Sequence, residues 1–213
     1  KGMGISDVVK LIPPEMIKYM LLKPDLEENI DINPTSEKLL RTIEEFEGAS
    51  RIDLDNEGIT RSDRKKAIAF SLSTNKMPWK AAFLDVLLYY ELYHDWEKVA
   101  ELTKDPDGVK YLRPYIEEWL NSGFVPENYR CDYKPDSAKA SPLAKEFVQS
   151  LNPDMDALAI HNSVFEFAKS HDTEPKKLFA DLYNAMIGKE RGPRLGKLIY
   201  ALGVNKVKED FGS

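Results

Sequence analysis

A single cysteine, Cys131, in 213 residues excludes a disulfide framework within the chain and fits a reducing compartment. Histidine is almost as scarce. His94, His161 and His171 leave no pair at the i, i+4 spacing that places two metal ligands on one helix face. No apolar run approaches the roughly 20 residues a membrane helix needs. The opening Lys1-Gly2-Met3-Gly4 leads straight into an amphipathic segment rather than a signal peptide, so a cytoplasmic protein is expected. Nothing alternates apolar and polar in the manner of a half-buried strand, and there is no G-x-S-x-G, P-loop or dinucleotide fingerprint. These absences remove the commonest enzyme classes and leave a helical binding protein.

What the chain does carry is charge, unevenly placed. From Lys189 to Lys208 six basic residues (Lys189, Arg191, Arg194, Lys197, Lys206 and Lys208) face a single acid, Glu190. That stretch is +5 in a chain whose total is −6, which leaves the remainder at −11. An acidic body with one basic patch points to a localised anionic partner, not to a general nucleic-acid binder.

Apolar spacing is helical almost throughout and predicts an all-α, antiparallel helical assembly. Ser6 reads as a cap, Pro13-Pro14 opens a helix to Leu22, and residues 23–34 read as a loop. Ser36 caps a helix from Glu37 to about Gly48, and another runs from Arg61 to Ser73. Pro78 is expected to start a helix carrying Trp79, Phe83, Val86, Leu87, Tyr90 and Tyr93. Further helices are expected around Trp96–Leu102 and Tyr111–Leu120, with residues 121–141 irregular. Ser141-Pro142, Asn152-Pro153 and Thr173 before Pro175 look like starts, since proline suits the first turn. Gly188 sits where a left-handed C-terminal glycine belongs. Pro193 is expected to open a last long helix ended by Gly203.

Four arrangements bear on chemistry. Asp53-Leu54-Asp55-Asn56-Glu57-Gly58 begins like a calcium loop, but its twelfth position is Arg64, a cation where the bidentate glutamate belongs, so it reads as a polar turn. His161 shares a face with Leu158, Phe165 and Ala168, the pattern of a core-edge histidine. Cys131 has no neighbouring histidine to activate it. The one arrangement with a physical case is Gly188-Lys189-Glu190-Arg191-Gly192-Pro193-Arg194-Leu195-Gly196-Lys197. Free N–H groups at a helix start favour an anion, Arg191 and Arg194 flank that point, and Lys197 lies one turn beyond Arg194. Gly192 and Gly196 would let a backbone approach a ligand closely. A solvated basic turn with a glycine packing contact is the other reading of the same residues.

The run Phe179-Ala180-Asp181-Leu182-Tyr183-Asn184-Ala185-Met186-Ile187, continuing into that turn, resembles the C-terminal end of class I lysyl-tRNA synthetases of archaeal type. Their pattern there is F-x-x-[IL]-Y-x-x-[LI]-[LI]-G-K-E-x-G-P-R-x-G. Tyr115-Ile116-Glu117-Glu118-Trp119-Leu120 with Val125-Pro126-Glu127 is similar to the family's W-L-x…A-P-E-E segment. Residues 1–20 are similar to the piece that follows its serine-rich ATP-binding signature, including P-P-E-x-[IVL]-[RK]-[YF] at Pro13–Tyr19. The resemblance keeps its order along the chain and is weakest over residues 60–110.

The resemblance implies a helical connector over residues 1–58 and an anticodon-binding α-helix cage over residues 59–213. It implies a parent that attaches lysine to its tRNA with ATP. The H-I-G-H-type nucleotide-binding domain would precede Lys1, so the chain alone is expected to be inactive and to hold no cofactor. The implied partners are the anticodon stem-loop of lysine tRNA and the catalytic domain, with no membrane and no DNA. Lys189, Arg191, Arg194 and Lys197 are then the candidate RNA contacts. Trp119 and Tyr129 are candidate stacking platforms, because single-stranded loops are read by splaying bases onto aromatic planes; a place in the core is the other reading of each. Two alternatives stand beside this reading. One is a glutamyl-tRNA synthetase-type anticodon domain. The other is a helical protein-interaction scaffold using the Tyr89–Tyr93 cluster, whose affinity would not follow anticodon sequence.

Overall fold

The computed structural model describes residues 5–23 and 37–211. Among the described residues the regular structure is twelve α-helices and one short 3-10 turn with no strand, as the spacing of apolar residues requires. The helices are α1 (Ile5–Leu11), α2 (Pro14–Leu22), α3 (Glu37–Ala49), α4 (Arg61–Ser73), α5 (Phe83–Tyr93), α6 (Trp96–Thr103), α7 (Pro106–Asn121), α8 (Pro142–Ser150), α9 (Ala157–Ser170), α10 (Pro175–Ile187), α11 (Leu195–Leu202) and α12 (Val204–Phe211). None is long and apolar enough to cross a membrane. The Ser36 cap and residues 24–34 lie outside the described residues, and α1 already includes Ser6, so that residue is not its cap.

The chain forms two compact units. One comprises the described residues up to Val86 together with Trp96–Pro126; the other comprises Leu87–Asp95 and the residues from Glu127 onward. The expected boundary between residues 58 and 59 falls inside the first unit, because α4 packs on both α2 and α3.

In the first unit, buried carboxylates organise the chain. Pro78 does not open a helix: α5 begins only at Phe83. The nearly buried Asp105 carboxylate accepts the backbone N–H groups of Lys80 and Ala81, the latter at 2.9 Å, and so holds residues 80–81 out of a helix. Asp105 also caps α7 by accepting from Gly108 N–H, with Pro106 in the first turn. Burial works against its charge, yet these N–H groups keep its carboxyl below the usual range. Glu47, 3% exposed, accepts at one oxygen from the Trp79 indole N–H (3.1 Å) and the Phe83 backbone N–H (2.7 Å). Around it Tyr19, Phe46, Phe70, Trp79 and Tyr111 pack ring on ring. The calcium-like stretch is a polar turn in which Asp53 and Asn56 accept from the backbone of Asp55 and Gly58.

In the second unit the expected Ser141 cap is present, its hydroxyl accepting from Ala144 N–H at 3.1 Å. The other expected starts move. Asn152 instead closes a local turn onto Asp154, and α9 is capped by Asp156, which accepts from Ala159 N–H at 2.7 Å. Glu174, not Thr173, precedes α10. Pro193 lies before α11, which starts at Leu195, and Gly203 divides the expected long helix into α11 and α12. Gly188 is left-handed (φ 68°, ψ 21°), as its position predicted. The main contact is α9 on α11, with Ile160, Val164, Leu198 and Ile199 fully buried. The connection after Glu127 lies along the end of α10, where the backbone N–H groups of Lys134 and Asp136 donate to the carbonyls of Met186 and Ala185. These are among the acceptors that a helix end leaves unsatisfied.

Candidate RNA-binding site

The basic turn joins α10 to α11, and its backbone is shaped by packing rather than left open. Gly188 closes α10 by donating its N–H to Asn184. The hydroxyl of buried Tyr183 then donates to the Pro193 carbonyl. Burial pushes this phenol up to about 12, against the hydrogen bond it receives from the Leu195 backbone. Burial at the helix start changes the anion argument. At the start of α11 both Leu195 and Gly196 are buried, which leaves their N–H groups little access to a ligand. Neither glycine receives a ligand backbone: a Cβ on Gly192 would lie 2.7 Å from the Ile187 side chain, and one on Gly196 would lie 2.0 Å from the Ala157 carbonyl oxygen. The glycines are packing contacts, and any anion must be held by side chains.

The four expected cations separate into two roles. Arg191 and Arg194 are exposed and Lys197 is half-buried, one turn along α11 from Arg194. Lys189 turns the other way. Its ammonium donates to the Glu127 carboxylate (2.6 Å) and to the backbone carbonyl oxygens of Arg130 (3.0 Å) and Glu127 (3.3 Å). The hydrogen bond and charge of Lys189 hold the Glu127 carboxyl below its ordinary range. Lys189 therefore ties the connection to the turn.

Trp119 is no RNA platform. It is fully buried in the first unit, with its indole N–H donating to the Leu11 carbonyl at 2.7 Å. Tyr129 is half-buried. Burial pushes the Cys131 thiol up to about 12, which leaves it unreactive at neutral pH. No group of three or more metal-ligating side chains occurs among the described residues.

Sequence reasoning missed an aromatic face on this same unit. Leu158 and Phe165 of α9 are 68% and 46% exposed, so the face that His161 shares with them points out, not in. The buried side of α9 is Ile160, Val164 and Ala168. Both faces are apolar at helical spacing, and only the position of α11 decides which is covered.

Set beside known proteins, the chain is similar to aminoacyl-tRNA synthetases that charge lysine tRNA. The relatives it matches are archaeal lysine–tRNA ligases. It is 26% identical over 224 residues to the lysine–tRNA ligase of Picrophilus torridus, covering 98% of this chain and 44% of that protein. Against the ligase of Thermoplasma acidophilum it is 24% identical, with the same shares covered. Against that of Archaeoglobus fulgidus it is 26% identical over 96% of this chain and 42% of the relative. The chain thus spans under half the length of the ligases it matches along nearly all of its own. No family model matches it.

Proposed function

We propose that this chain is the anticodon-recognising part of a lysine–tRNA ligase and binds lysine tRNA through the turn between α10 and α11. The observation that carries the reading is that Arg191 and Arg194 are exposed in that turn, with Lys197 one helical turn beyond Arg194. Side chains of this kind neutralise phosphates and set the register of an RNA loop, while base edges and stacking supply the specificity. The parent would couple ATP and lysine to charge the tRNA. The twelve helices described here would contribute recognition only.

The test compares affinity for a lysine tRNA transcript with that for one whose anticodon is swapped. Discrimination of roughly tenfold or more is expected, since a mismatched base contact costs about 1–3 kcal/mol. Equal affinity for both transcripts would leave a protein-interaction scaffold as the better reading.

A further inference from the structure

The outward face of α9 meets α10 in a cluster of three rings. His161 and Phe165 are 5.5 Å apart, His161 and Phe179 5.2 Å, and Phe165 and Phe179 5.3 Å between centroids. Phe165 is 46% exposed and the adjoining Leu158 68%, while His161 and Phe179 are half-buried. Removing such rings from water is favourable, so their exposure calls for an occupant. The imidazole belongs to the platform rather than to acid–base chemistry. Its Nδ1 is enclosed without a hydrogen-bond partner, and burial together with the nearby charge of Arg194 disfavours protonation.

The charge beside the rings selects among occupants. Arg194, exposed, is close enough to His161 to act on its protonation, and Lys176 lies one helical turn before Phe179. A guanidinium beside aromatic faces suits a polyanion that carries flat apolar groups, which is the chemistry of single-stranded RNA. We propose that Phe165, Phe179 and His161 form a stacking platform for an unpaired base of the bound tRNA, with Arg194 holding the adjoining phosphate. The inference rests on the tRNA-binding reading above and adds to it the groups that take the base.

The experiment measures binding of a lysine tRNA transcript to the full chain and to Phe165→Ala, Phe165→Trp and Phe165→Leu. It is repeated with a synthetic transcript whose anticodon-loop sites are abasic. Phe165→Ala is expected to weaken binding about five- to a hundredfold, the range of one base–aromatic stack, with no change in salt dependence. Phe165→Trp is expected to restore it, and the abasic transcript to show no difference between the variants. Phe165→Leu keeps apolar volume without a ring and carries the comparison should the alanine variant fail to fold. Tight tRNA binding with Phe165→Ala and Phe165→Leu both within twofold of wild type would overturn the platform and leave the tRNA reading standing. No preference of the wild type for tRNA over a scrambled RNA would remove both.

Discussion

The backbone of Gly196 and the carbonyl of Ala157 are so close that a Cβ on the glycine would sit 2.0 Å from that oxygen. The same Cβ would lie 2.9 Å from the His161 backbone nitrogen. Backbone on both sides cannot give way as a side-chain tip does, so α9 and α11 must part for any larger residue. Gly196→Ala is expected to lower stability by about 1–3 kcal/mol, the usual cost of overpacking, although alanine favours a helix. Urea or thermal unfolding measures it. An unchanged midpoint would mean that α9 and α11 are not packed this closely.

Gly188 presents the opposite situation. Nothing lies within 4 Å of its would-be Cβ, and only its positive φ of 68° demands glycine. Gly188→Val should therefore cost on the order of 1 kcal/mol or more from backbone strain alone, and Gly188→Asn clearly less. Equal melting temperatures for the valine and asparagine variants would show that the left-handed turn is not kept in solution.

The two glycines illustrate what a linear reading reaches. Helix existence was legible because apolar spacing is local, and so was the Gly188 stop. Helix starts were less so. Proline marks where a helix is allowed to begin, yet at Pro78 and Pro153 the decision belonged to the acceptors Asp105 and Asp156. At the site, the sign and place of the charge were plain, but the role of Lys189 was not, because its partner Glu127 is 62 positions away. Trp119, a candidate platform, proved buried, and Phe165, grouped with a core-edge histidine, proved exposed, for a related reason. Periodicity groups residues onto a face without saying whether another helix covers it.

Burial pushes the Glu47 carboxyl up to about 7 from an ordinary 4.5, despite the N–H groups of Phe83 and Trp79 that favour its charge. The folded state therefore binds a proton that the unfolded state has lost between those two values. The stability this group contributes should be full and level below about pH 4.5, and decline as pH rises to about 7, where the proton is lost from the fold as well. The full effect is on the order of 3 kcal/mol, with no further change from Glu47 above that. Glu47→Gln keeps an acceptor for both N–H groups and removes the charge. Unfolding free energies of this variant at pH 5 and pH 8 should differ by less than those of the wild type. A wild-type difference retained in full by the glutamine variant would assign it to other groups.

Salt dependence separates the cation that holds the loop from those that face outward. If Arg191, Arg194 and Lys197 each neutralise one phosphate, at about 0.7 per contact on single strands, the log–log slope of tRNA binding should be roughly −2. Fourfold more salt would then weaken binding by roughly fifteenfold. Arg194→Ala should flatten the slope by about 0.7 if the guanidinium only positions the backbone. If it reads a base, the change should instead cost about 1–3 kcal/mol and relax the preference for the lysine anticodon. Lys189→Ala should leave the slope intact, because its ammonium is already spent on Glu127 and the Arg130 carbonyl. Its effect should appear as a lowered melting temperature and as faster amide exchange over residues 127–134, the segment it anchors. A slope flattened equally by Lys189→Ala and Arg194→Ala would mean that Lys189 leaves Glu127 for the RNA, and the loop would then be released on binding instead of held.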